Sequence, residues 1–189
     1  MVLQRHVSFD EFMSWPEQKP YLEYFEGEVK PKAVPNSDHS IVQADLMFHL
    51  KSWDPKVPVV AEQRCLLKGA GSAAVLPDVA VFPPGGFTVN PKRQAVVPPR
   101  LAVEILSPDD TYADVQAKVS LYLEAGVPVV WVIDPAARNV TIHRAGERTK
   151  VVSEEGKLEE PLLPGFSLSL KTLFQNVDTM INPQPTEQP

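Results

Sequence analysis

Two acids stand in this sequence where acids are costly. Asp78 follows Pro77 at the head of the apolar run Val79-Ala80-Val81-Phe82, and Glu104 lies inside Leu101-Ala102-Val103-Glu104-Ile105-Leu106. A carboxylate in such a run loses its hydration unless a cation or several hydrogen-bond donors meet it. Two carboxylates brought together also repel each other, and a divalent cation relieves both costs. Mg2+ is commonly held by only one or two protein carboxylates, with water and substrate phosphate completing its octahedron. The chemistry open to such a pair is metal-assisted hydrolysis, with Asp78 and Glu104 as ligands of Mg2+ or Mn2+. Each acid also has a plainer explanation: Pro-Asp is often a turn, and a lone strand Glu often points to solvent.

Lys118 is the candidate partner. It lies in Thr111-Tyr112-Ala113-Asp114-Val115-Gln116-Ala117-Lys118, a segment that reads as the helix directly after the Glu104 strand. If Val115, Val119 and Tyr122 face inward, Lys118 borders that stripe and can overlook the two acids. There it could orient an attacking water or stabilise charge on the transition state. The alternative is a surface pair with Asp114 at i,i+4 spacing, worth a few tenths of a kcal/mol. Glu23, Glu28 and His39 are possible accessory residues, each with an ordinary surface reading beside it. Cys65, in an apolar run, reads as buried and inert, and Trp15, Trp53 and Trp131 as core or boundary aromatics.

The elements that must position these groups follow from local signals. Ser8-Phe9-Asp10-Glu11 is a capping box opening a helix that Pro16 closes. Residues 21–25 and 28–30 form a hairpin about Gly27, and a helix capped by Ser37 or Asp38 runs to Trp53. Residues 57–67 read as one long strand, 69–72 as a loop, and 76–82 as a second strand. Residues 83–99 form a long Pro/Gly-rich loop, and 101–106 a short buried strand. Ser107 or Asp109 caps a helix to Ala125, ended by Gly126. The apolar strand 129–133 is joined through Asp134-Pro135-Ala136-Ala137 to a strand at 140–144. Two weaker strands and a short helix near Leu173 follow. The helix between residues 106 and 129 permits a parallel crossover while the hairpins are antiparallel. The expected fold is therefore α/β, or α+β with a curved, mixed central sheet flanked by helices.

The chain has 189 residues, 43% of them hydrophobic, enough for one sizeable core. We expect one domain over residues 1–181 and a disordered tail over 182–189. No apolar run is long enough to cross a bilayer, the N-terminus has no apolar leader, and the single cysteine cannot form an internal disulfide. These features lead us to expect a cytoplasmic protein. The net charge of −6, with scattered basic residues, argues against a module that grips duplex DNA through many phosphates. It does not argue against an enzyme whose bound cation supplies local positive charge.

Taken in order, several segments resemble one family. They are Pro77-Asp78-Val79, Val103-Glu104-Ile105-Leu106-Ser107-Pro108, Asp114 with Lys118, Tyr122, Gly126-Val127 and Trp131-Val132-Ile133-Asp134-Pro135. Together with His39 and the stretch around Glu23, Gly27 and Glu28, they are similar to the Uma-two family of putative restriction endonucleases, in the PD-(D/E)XK superfamily. The likeness spans roughly residues 8–144. It implies a restriction-endonuclease-like fold, Asp78 and Glu104 as metal-binding acids, and nucleic acid, chiefly DNA, as substrate. The superfamily pattern has lysine two residues after the second acid, where this chain has Leu106, so the resemblance implies that the lysine has moved to Lys118.

Three functions compete. The first is a Mg2+- or Mn2+-dependent endonuclease, with a homodimer as one way to cut both strands. The second is an inactive protein of nuclease fold that binds nucleic acid or regulates. The third is a glycosidase-type carboxylate pair, for which no sugar groove is recognisable in the sequence.

Overall fold

The computed structural model describes residues 6–68 and 71–181, so the expected tail at 182–189 lies outside the described residues. The chain runs through α1 (Phe9–Ser14), β1 (Leu22–Phe25), β2 (Glu28–Pro31), α2 (Ser37–Trp53), β3 (Val59–Ala61) and β4 (Cys65–Lys68). It continues through β5 (Ser72–Val75), β6 (Val79–Val81), β7 (Leu101–Ile105), α3 (Tyr112–Glu124), β8 (Val130–Asp134) and β9 (Asn139–His143). Last come β10 (Lys150–Ser153), β11 (Lys157–Glu159), β12 (Ser167–Ser169) and α4 (Leu170–Ile181).

The apolar runs make the middle of a six-stranded sheet, ordered β10-β9-β8-β7-β6-β3. Helix α3 carries the chain from β7 to β8, which makes that pair parallel, and the other neighbours are antiparallel. A four-stranded sheet, β2-β1-β5-β4, stands beside it, and β11 and β12 form a separate pair. The sheet is thus mixed and flanked by helices, as expected.

Both faces of the large sheet are covered. Val79, Val81, Leu101 and Val103 pack on one side with Val42, Leu46 and Leu50 of α2 and Leu170, Leu173 and Phe174 of α4. Ala80, Phe82, Ala102 and Val132 pack on the other with Val115, Val119 and Tyr122 of α3 and with β4 and β5. This explains why β7 is buried along its whole length and why its runs read as continuous hydrophobes. Among the described residues no helix is long and apolar enough to cross a membrane.

Several expectations need correction. The strand expected over 57–67 is two strands in different sheets: β3 pairs with β6, and β4 with β5. The break falls by Glu62, whose φ of 51° leaves the extended region. Ser72, expected in a loop, opens β5, because that strand pairs on both sides, with β1 and β4. The strand expected over 76–82 is reduced to β6. Helix α3 is capped by Thr111, whose side chain accepts from Asp114 N, and not by Ser107 or Asp109, since the chain first turns where Asp110 accepts from Ser107 N at 2.7 Å. Three strands, not two, precede the last helix, and that helix is twelve residues long.

Candidate active site

Antiparallel register brings the two acids together. Val79 pairs with Val103, Asp78 precedes the first and Glu104 follows the second, so the acids face each other where the β6–β7 ladder ends. Alternation turns them away from Val79 and Val103, toward the α3 side of the sheet. Both are buried and line one cleft of about 380 Å3.

Helix α3 supplies the upper wall. Its end is fixed by Gly126, at a φ of 86° that favours glycine, with Gly126 N donating to Leu123 O and Val127 N to Tyr122 O. That closure seats Tyr122 over β7, where its hydroxyl donates to Glu104 Oε1 at 2.6 Å. One turn earlier, Lys118 Nζ lies 3.0 Å from Glu104 Oε2 and 2.9 Å from Glu23 Oε2. Glu23 comes from β1 in the smaller sheet, and its other oxygen accepts from Leu76 N at 2.8 Å.

Asp78 is held from the opposite side. Its Oδ1 accepts from Lys32 Nζ at 2.7 Å, and its Oδ2 accepts from Ile105 N at 2.7 Å and lies 3.2 Å from His39 Nε2. His39 is buried in the first turn of α2, which Asn36 caps by accepting from His39 N, and its Nδ1 has no protein partner. Lys32 also lies 3.4 Å from Glu62, and Gln43 donates to both Glu62 and the Asp78 carbonyl.

Of the residues singled out in the sequence, Asp78, Glu104, Lys118, Glu23 and His39 converge. Glu28 does not join them. It stands half-exposed at the cleft mouth, 3.8 Å from Lys30. The surface pair between Asp114 and Lys118 does not form either, since Asp114 pairs with Lys30 at 2.9 Å. Lys32, Glu62, Gln43 and the hydroxyl of Tyr122 escaped the sequence reading. Lys32 sits just beyond Pro31 at the end of β2, where nothing local marks it.

The electrostatics separate the two acids. Burial pushes the Glu104 carboxyl up, Lys118 pulls it down, and Asp78 pushes it up again, leaving it at about 7. Burial also opposes ionisation of Asp78, but Lys32 and the His39 hydrogen bond outweigh it and hold Asp78 well below the usual carboxylate range. Burial works against the Lys118 charge too, yet Glu104 and Glu23 outweigh it and hold the ammonium firmly protonated. Two carboxylates pushed apart by their surroundings are a mark of acid–base or metal chemistry.

The donor set fits a hard divalent cation. Glu23, Glu62, Asp78 and Glu104 outnumber Lys32 and Lys118, so negative charge is left over around oxygen ligands. Among the described residues no three His, Cys, Asp or Glu side chains form a ready-made cage. Mg2+ is commonly held by only one or two protein carboxylates, with water making up its remaining ligands.

Residues 9–171 match the model of the Uma2 family, described as "Putative restriction endonuclease". The chain belongs to the Uma2 family. A crystal structure of a putative nuclease belonging to DUF820 from Anabaena variabilis is 27% identical to this Uma2 chain, with a TM-score of 0.80. It covers 89% of this chain and 98% of that one. A cryo-electron microscopy structure of a DrdV–DNA complex is 19% identical, with a TM-score of 0.36, over 59% of this chain and 68% of that one. That likeness is too loose to bear on the site. No curated protein matches the sequence.

Proposed function

We propose that this Uma2 protein is an endonuclease that hydrolyses phosphodiester bonds of nucleic acid, DNA foremost, with Mg2+ or Mn2+ held by Asp78 and Glu104. The observation that carries this reading is the opposition of Asp78 and Glu104 at the end of the β6–β7 ladder, inside a cleft that Lys118 overlooks. A cation held there supplies a Lewis acid for the phosphate and a lower pKa for the attacking water.

The chain's own residues take distinct parts. Asp78 stays ionised and offers a fixed negative ligand. Lys118, held protonated, acts as a fixed positive charge for the transition state and not as a base. Tyr122 and Glu23 orient Glu104 and Lys118, and His39 and Lys32 hold Asp78.

A second reading, a nuclease-fold protein that binds nucleic acid without cutting it, is favoured by one feature. Protein donors already reach both oxygens of Asp78 and of Glu104. Calorimetric titration with Mn2+ and cleavage of labelled plasmid DNA separate the readings. The nuclease reading expects Mn2+ binding and cleavage in the wild type, both lost in Asp78→Asn/Glu104→Gln. Cation binding without cleavage leaves the second reading, and unchanged Mn2+ affinity in the double variant removes the metal site.

A further inference from the structure

A groove of about 440 Å3 opens beside the acid cleft and shares Leu106, Asp110 and Val115 with it. Its floor is the part of the large sheet formed by β8 and β9. Alternation along β9 sets Asn139, Thr141 and His143 on this one face, and all three line the groove. His143 is nine-tenths buried, and its Nε2 has no protein partner. The wall is the first turns of α3, where Gln116 lines the groove and Tyr112 stands 81% exposed.

The two hollows differ in charge chemistry. Lys30, Lys32 and Lys118 line the cleft, whereas no lysine or arginine lines the groove. Asp134 borders the groove alone and, with no cation beside it among the described residues, would repel a phosphate. An exposed aromatic ring facing neutral amide, hydroxyl and imidazole groups suits a planar, uncharged, polar ring. Bases stack on such aromatics whatever their sequence, and their edges are read by neutral hydrogen-bonding side chains.

We infer that this groove is a nucleobase subsite: it takes one base of the strand whose phosphate lies at Asp78 and Glu104, stacking it on Tyr112 with its edge toward Asn139, Thr141 and His143. The inference rests on the nuclease reading, and it adds what that reading leaves open, a contact that senses the base next to the cut. In a duplex the base would have to leave the stack, so single strands are the simpler probe.

The test uses two fluorescent single strands of six nucleotides, one of thymidines and one abasic throughout, with Ca2+ replacing Mg2+ to prevent turnover. Anisotropy titrations at low salt give the affinities. The subsite predicts that the wild-type chain binds the thymidine strand roughly tenfold more tightly than the abasic strand. Tyr112→Ala, at an exposed position with little effect on folding, would bring the two strands to equal affinity without weakening the abasic one. Thr141→Val would change the ranking among thymidine, adenosine and cytidine strands and leave abasic binding alone. Equal binding of both strands by the wild type, or an undiminished preference in Tyr112→Ala, would overturn the subsite and leave the nuclease reading standing. Failure of the wild type to bind either strand would also overturn the subsite, and the nuclease reading would still be decided by Mn2+ binding and plasmid cleavage.

Discussion

Lys118 Nζ lies 3.0 Å from Glu104 Oε2, although the lysine belongs to the helix after the strand that carries the acid. It descends onto the sheet from α3 and is held from the other side by Glu23 at 2.9 Å. The two acids that fix Lys118 are themselves almost shielded from solvent.

Lys118→Ala is expected to lower turnover by about 10²-fold or more, as for other electrostatic catalytic groups, while Mn2+ still binds. The change also leaves Glu23 and Glu104 without their shared cation, so the metal-free fold should lose roughly 3–5 kcal/mol. Cleavage assays and urea denaturation measure the two effects separately. Normal turnover in this variant would count against a catalytic lysine.

Stability should depend on pH through Glu104. Its folded carboxyl titrates near 7 and its unfolded one at the ordinary 4.5. Between those values the folded chain binds a proton that the unfolded chain does not. Stability without divalent cations should therefore rise as pH falls from about 7 to about 4.5, by roughly 3 kcal/mol. Asp78 works in the opposite sense, but its loss of stability lies in stronger acid, below this window. Glu104→Gln should lack the rise. Parallel pH–stability curves for the two proteins would refute the assignment.

Cation binding should release a proton near neutrality. A ligand carboxyl at about 7 must ionise before it can coordinate. Mn2+ affinity should therefore climb with pH up to about 7 and level off above it. Calorimetry at pH 6.5 in two buffers of different ionisation heat would reveal the proton, and identical heats would show that Glu104 is not a ligand.

Tyr122→Phe removes only the hydroxyl that donates to Glu104 at 2.6 Å. The loss should be about 1–3 kcal/mol, because the acceptor stays buried with one donor fewer. That bond favours the ionised acid, so the pH-dependent rise in stability should begin above 7 in this variant. An unmoved onset would mean that the tyrosine is only a packing residue.

The sequence disclosed the parts of this site whose signal is local. Asp78 and Glu104 stand out because each interrupts an apolar run, and Lys118 because it borders the inward stripe of Val115, Val119 and Tyr122. Glu23 and Glu28 looked alike in one dimension. Only the docking of the β1–β2 hairpin against β5 buries the first and leaves the second at the rim. Lys32 and Glu62 were illegible for the same reason, since their partners come from distant strands. The split between β3 and β4 was hidden because Glu62 adopts a positive φ without being glycine. Fold class was easier, because a crossover helix between two buried strands forces a mixed sheet.

Glu23 and Lys32 belong to the hairpin of the smaller sheet, whereas Asp78 and Glu104 end strands of the larger one. The ion pairs of the cleft are thus also rivets between two separate sheets. Any change that neutralises one of them loosens a mechanical joint as well as altering a charge. Conversely, a substitution buried far from the cleft, if it tilts one sheet by a fraction of an ångström, changes the spacing of the charged groups. In this architecture reactivity and rigidity are set by the same few contacts, so neither can be tuned without disturbing the other.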